Sequence, residues 1–185
     1  MKKLLLLLFL LAGCGSSSGP DSTQVYGPPY DPEQYACHFY TAQVNEWNYG
    51  VTNIPAIEAA IAEWNNSLGE NRIRELRRLP PKENNVWNDP ELGRSTIIIA
   101  MNSSLKVAGV AYQGVGFGPC SCWIDLRPDV LTEVPLIVHE IGHCFGLEHV
   151  ADIYSIMHES VSEDSFLTQE MVDLVKENTN LNDPF

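Results

Sequence analysis

Basic residues are scarce in this sequence. Only 11 Lys and Arg stand against 24 Asp and Glu in 185 residues, a formal net charge of −13. A surface of that sign repels polyanions, which excludes nucleic acid as a natural partner. Long apolar runs are missing too: the stretch from Leu4 to Ala12 falls well short of the roughly 20 residues that carry a helix across a bilayer. Five cysteines are too few to staple a miniprotein together, yet enough to form bridges in an oxidising compartment. No internal repeat is present, and the Gly-rich stretch 114–118 lacks the Lys-Ser/Thr ending of a phosphate-binding loop. What remains is 44% hydrophobic and 19% charged, the composition of a globular domain with a real core.

The N-terminus is read apart from that domain. Lys2 and Lys3 ahead of the Leu4–Ala12 run have the layout of a secretory signal. Leu11-Ala12-Gly13-Cys14 resembles a bacterial lipobox, which implies lipidation of the Cys14 thiol, cleavage before it, and membrane contact through that anchor alone. The expected organisation is a signal over residues 1–13, a Ser/Gly/Pro-rich tether over 14–34, and a folded domain over 35–185. Cleavage removes two lysines and no acid, so the mature charge becomes 9 − 24 = −15. Gly15 stands where an aspartate often retains lipoproteins in the inner membrane, so the outer membrane or cell surface is the expected location.

Within the domain, Tyr35 to Val44 is aromatic-rich, partly alternating, and reads as the opening of a sheet. Pro55 suits the first turn of a helix, and Ile57, Ile61, Trp64 and Leu68 continue it as one apolar stripe that Gly69 ends. Arg72, Arg74, Arg77, Arg78 and Lys82 read as a solvated face rather than a docking patch. Thr96 to Met101 is short, continuous and β-branched, as an interior strand should be. Val107 to Tyr112 and Cys122 to Leu126 suit further strands. A second helix opens at Val134-Pro135, and a last one follows Thr168 with Met171, Leu174 and Val175 on one face. The expected class is α+β: a mixed, twisted sheet with a backing helix, an active-site helix and a C-terminal helix.

Chemistry concentrates in one segment, His139-Glu140-Ile141-Gly142-His143-Cys144-Phe145-Gly146-Leu147-Glu148-His149. His139 and His143 are four apart, so on a helix their imidazoles leave the same face one turn apart. Neutral imidazole is a good zinc ligand at about 2.0–2.1 Å. Gly146 can take the left-handed conformation that closes the helix, which lets the chain bring His149 back to the same ion. Three protein ligands leave a fourth position for water, the arrangement of a catalytic zinc. Zinc lowers the pKa of water to about 7, and Glu140, beside His139, is placed to take that proton and pass it to a leaving amine.

The segment matches the extended zinc motif of the metzincins, and Ser155-Ile156-Met157-His158 resembles their Met-turn. By that resemblance, Met157 forms an apolar floor under the zinc without ligating it. Within the clan the chain looks most like a matrixin, through its Trp64-Asn65 helix, the strand at 96–101, the segment at 107–112 and the Leu167-Thr168 helix entry. The resemblance implies that Gly109 to Gln113 is the edge strand that pairs with extended substrate. It departs from the family at Val150, where Ser or Thr is usual, and at Glu159, where matrixins carry Pro and astacins a zinc-binding Tyr. The His-rich segment that holds a second zinc in animal matrixins has no counterpart between Met101 and Cys122, so one zinc is expected. No propeptide cysteine switch is visible. Calcium binding is left open but not indicated: the acidic C-terminal part offers carboxylates, with no recognisable loop pattern.

With Cys14 lipidated, Cys37, Cys120, Cys122 and Cys144 make an even number, with three possible pairings into two disulfides. Cys120 with Cys122 would close a very small ring, so Cys37 is expected to join one of them and Cys144 the other. His158 reads as a packed or solvated residue rather than a substrate contact. The sequence therefore predicts a monomeric, lipid-anchored zinc endopeptidase acting on proteins or peptides. The alternatives are a non-catalytic surface-binding lipoprotein on the same fold and a zinc peptidase for cell-wall peptides.

Overall fold

The computed structural model describes residues 40–45, 53–79, 96–113 and 121–178. Eight principal elements follow in order: β1 (Tyr40–Asn45), α1 (Ile54–Leu68), β2 (Ile73–Leu79), β3 (Thr96–Met101), β4 (Gly109–Gln113), β5 (Cys122–Leu126), α2 (Val134–Cys144) and α3 (Gln169–Asn178). The five strands form one sheet in the order β2-β1-β3-β5-β4, with β4 antiparallel to β5 and every other pairing parallel. This is the mixed α+β architecture expected. The signal, the lipobox with Cys14, the tether, residues 35–39 of the proposed opening strand, Cys37, the Gly-rich stretch 114–118 and Cys120 lie outside the described residues.

The centre of the sheet follows from composition. β3 is buried from Thr96 to Ala100, so its run of isoleucines meets apolar neighbours on both faces. α1 lays Ile57, Ala60, Ile61, Trp64 and Leu68 into the core, and Gly69 closes it at φ 74°, a conformation that costs glycine little. Trp64 and Asn65 then lock the helix to its surroundings. The Trp64 indole donates to the Val138 carbonyl of α2 at 2.9 Å, and the Asn65 amide both donates to and accepts from the Ile73 backbone at 3.0 Å. Asn65 thus sets the start of β2.

Two expectations need correction. Arg72 departs from the solvated face: it is fully buried, with Glu70 2.9 Å away, since a buried guanidinium requires an anionic neighbour. Arg74 is exposed, Arg74, Arg77 and Arg78 belong to strand β2, and Lys82 lies outside the described residues. In α3 the buried side chains are Met171, Val172 and Val175, whereas Leu174 is 42% exposed. Leu174 and Val172 both suit a helical stripe with Met171 and Val175, and the packing of α3 selects Val172.

β4 begins two residues later than the sequence suggests. Asn102 organises the preceding turn, donating from its backbone to the Leu126 carbonyl at 2.8 Å and from its amide to Asp125 at 2.9 Å. Trp123 donates to the other Asp125 oxygen at 2.7 Å. The turn is therefore tied to β5, and β4 is held as the outermost strand over α2.

Candidate metal centre

α2 opens with Pro135 in its first turn, where a missing N–H costs nothing. It packs against both α1 and β4. Leu136, Ile137, Val138 and Ile141 are buried along it, and so are His139 and Glu140. A disulfide joins its last residue, Cys144, to Cys122 at the start of β5. The helix then stops at Phe145, whose ring packs edge-on against Trp64 at 5.0 Å. Gly146 follows at φ 86°. That left-handed residue reverses the chain and returns His149 to the face that carries His139 and His143.

The three imidazoles converge. Their Nε2 atoms lie 3.0 Å apart for His139 and His143, 3.2 Å for His143 and His149, and 3.3 Å for His139 and His149. Two of the rings have their tautomers fixed from behind. His139 Nδ1 donates to the Ile156 carbonyl at 2.6 Å, and His143 Nδ1 donates to the Leu147 carbonyl at 2.8 Å. A nitrogen facing a carbonyl oxygen must carry the proton, so each Nε2 presents its lone pair to the cluster. Burial, then the neighbouring His143, pushes His139 down to about 3. Burial likewise lowers His143. Both rings are accordingly neutral at physiological pH.

The His139 and His143 lone pairs, aimed at one point, repel each other unless a cation lies between them, and the His149 Nε2 converges on the same point. Ligands at about 2.0–2.1 Å from a tetrahedral zinc sit about 3.3 Å from each other, close to the separations seen. The donor set is all imidazole nitrogen, which suits zinc and excludes calcium or magnesium, whose ligands are oxygens. The residues present therefore fit a zinc ion.

The surroundings are tightly packed. Met157 is completely buried, and a Cβ on Gly142 would stand 2.4 Å from its sulfur and 3.3 Å from Trp64. Only glycine lets the helix lie this close to the Met-turn. The same turn supplies the Ile156 carbonyl behind His139, so it orients that ring. Glu140 is fully buried beneath β4, where a Cβ on Gly109 would come within 2.5 Å of its Oε1. At the other end of β4, the Gln113 amide donates to the His143 carbonyl. Edge strand and helix are thus joined at both ends of the site.

The structure brings His139, His143 and His149 together; Glu140 is buried on the same helix, Met157 lies against Gly142 of that helix, and Cys122 is bonded to Cys144 at its end. Cys144 is bonded to Cys122, one of its two expected partners, and Cys37 and Cys120 lie outside the described residues. His158 is half-buried and bridges to Val150, with its Nδ1 accepting from Ser160 N at 3.1 Å. Sequence reasoning missed Gly109, Gly142 and the Ile156 carbonyl. A glycine inside the zinc-motif helix is the one signal that was legible for Gly142, because glycine in a helix interior costs about 1 kcal/mol and needs a reason.

A sequence profile of the matrixin family matches residues 33–178. No curated protein matches the chain by sequence. Among solved structures, the chain is similar to metalloproteinase-II from Bacteroides fragilis, with a TM-score of 0.54 and 16% identity over 78% of this chain. It spans 54% of that protein's length. Archaemetzincin from Methanopyrus kandleri aligns over 78% of this chain and 97% of its own, at 17% identity and a TM-score of 0.48.

Proposed function

The chain belongs to the matrixin family, and from that premise we propose that it is a zinc-dependent endopeptidase with His139, His143 and His149 as ligands and Glu140 as general base. The observation that carries this reading is the convergence of three Nε2 atoms within 3.0–3.3 Å, two of them on the helix that also holds Glu140. Zinc bound there supplies a Lewis acid that polarises a peptide carbonyl and acidifies water.

The protein's own groups do the rest. Ile156 and Leu147 hold the tautomers of His139 and His143, so no proton competes for the ligand nitrogens. Glu140 sits in a pocket under β4 that admits no side chain at Gly109. From there its carboxylate takes the proton of the attacking water and later delivers it to the leaving amine, splitting the C–N bond. β4 is the terminal strand of the sheet, so its outer edge suits an extended peptide paired through its backbone. The disulfide anchors the helix end beside His143.

The N-terminal reading belongs to the same proposal. Residues 1–13 act as an export signal, Cys14 carries the lipid, and residues 14–34 tether the domain to the outer membrane or cell surface. Metal analysis paired with a quenched-fluorescence peptide assay tests the catalytic reading. Glu140→Gln should keep one zinc per chain while hydrolysis falls by about 10²–10⁴-fold. Near-wild-type turnover by this variant would remove Glu140 from the role of base.

A further inference from the structure

His139 and His143 are backed by carbonyls that reach them by different routes. The Leu147 carbonyl behind His143 lies four residues on, in the chain that follows α2. The Ile156 carbonyl behind His139 comes from 17 residues away, in the Met-turn. The first contact is local and follows from the end of the helix. The second holds only while the Met-turn presents that carbonyl at the right angle, so whatever fixes the turn also fixes the ring.

A carbonyl is aimed by its peptide plane, and two such planes flank Ile156. In the Ser155–Ile156 peptide, the carbonyl accepts from His158 N at 3.0 Å and the N–H donates to the Phe166 carbonyl at 2.9 Å. In the Ile156–Met157 peptide, the carbonyl accepts from His139 Nδ1 at 2.6 Å, and the N–H donates to Ser155 Oγ at 3.0 Å. The first plane is held by backbone alone. The second is held, opposite the imidazole, by one hydroxyl. Because the peptide is planar and trans, an N–H turned toward Ser155 points its carbonyl the other way, toward His139.

Ser155 is itself held. It is buried, at 1% exposure, where an unpartnered hydroxyl is costly. Its oxygen accepts from Met157, and its one proton is donated to the buried Met171 sulfur of α3 at 3.6 Å. The hydrogen bonds form an unbroken chain from His139 Nδ1 through the Ile156–Met157 peptide and the Ser155 hydroxyl to Met171. Every donor in it points away from His139, so each bond polarises the next in the same sense.

We propose that Ser155 is a positioning residue of the metal centre: its hydroxyl, anchored on Met171, sets the Ile156–Met157 peptide and through it the orientation of the His139 ligand. This rests on the zinc reading above and extends it to a side chain outside the ligand set. A serine that only filled space would be replaceable by alanine without consequence for the metal.

The test uses the full chain and two readouts other than hydrolysis. Zinc affinity is measured by competition with a chromophoric chelator, and ligand geometry by the visible spectrum of the Co²⁺-substituted protein. Ser155→Ala should bind zinc roughly tenfold more weakly, the scale on which outer support of a ligand acts, and should shift the cobalt bands. Ser155→Thr, which keeps the hydroxyl, should restore both. Ile98→Val, in the buried centre of β3, is the control: it should lower urea-unfolding stability yet keep wild-type affinity and spectrum. Wild-type affinity and spectrum in Ser155→Ala would overturn the proposal. An equal loss of affinity in Ile98→Val would overturn it too, because the loss would then track stability alone. If Ser155→Ala does not fold, Met171→Leu decides, since it conserves volume and removes the sulfur acceptor. A weakened, spectrally shifted site in that variant supports the proposal, and an unchanged one overturns it. A wild-type chain that binds no zinc would sink the metal reading along with it, whereas the other contrary outcomes leave that reading standing.

Discussion

At the scale of single residues, the site depends on side chains that are absent as much as on those present. Gly142 lies where a Cβ would stand 2.4 Å from the Met157 sulfur. We expect Gly142→Ala to destabilise the fold by about 1–3 kcal/mol through overpacking, measured by urea unfolding. An unchanged midpoint would mean that the Met-turn yields more readily than the packing indicates. Protonation makes a second residue-scale prediction. An unfolded histidine titrates near its ordinary 6.5, whereas burial holds His139 down to about 3. Between these values the unfolded chain binds more protons than the folded one, so stability falls as pH falls. Zinc-free protein should therefore melt at its full temperature above about pH 6.5 and progressively lower toward pH 3. A flat profile over this window would contradict neutral, buried imidazoles.

At the scale of elements, the fold was legible wherever a local pattern decides it. The α1 stripe, the continuous isoleucine run of β3 and the alternation of β5 each state their own structure. The His139–His149 spacing does the same for the site, because a helix, a left-handed glycine and a third ligand are all encoded within eleven positions. Elements decided by distant partners were not legible. β2 carries Arg72, Arg74, Arg77 and Arg78 in or beside it, and it forms a strand because β1 pairs with it in parallel. The choice of Val172 over Leu174 for the buried face of α3 likewise depends on packing against the rest of the core. Gly109 looks ordinary in sequence, and its importance appears only when Glu140 is folded beneath it. The Cys122–Cys144 bond connects β5 to the end of α2 across a separation of 22 residues. A loop of that length is worth about 3 kcal/mol. Cys122→Ser with Cys144→Ser should lower unfolding stability by that order. An unaltered unfolding curve would show that the bond contributes nothing to holding α2.

At the scale of the whole molecule, three parts meet at one place: the terminal strand β4, the helix carrying His139, Glu140 and His143, and the turn whose Ile156 carbonyl orients His139. The sheet order puts β4 at the margin, and the contact between β4 and α2 aligns that margin with the imidazoles. The acidity has a location as well as a sign, since ten of the 24 acids fall between Arg127 and Lys176, the stretch that also carries the three histidines. The central claim is that these three histidines hold one zinc on which peptide hydrolysis depends. Its most direct test is titration of zinc into the chelator-stripped full chain while hydrolysis of a quenched peptide is followed. The account predicts no activity without metal and full recovery at one equivalent of zinc per chain. Hydrolysis that survives complete metal removal, or that needs two equivalents to return, would contradict it.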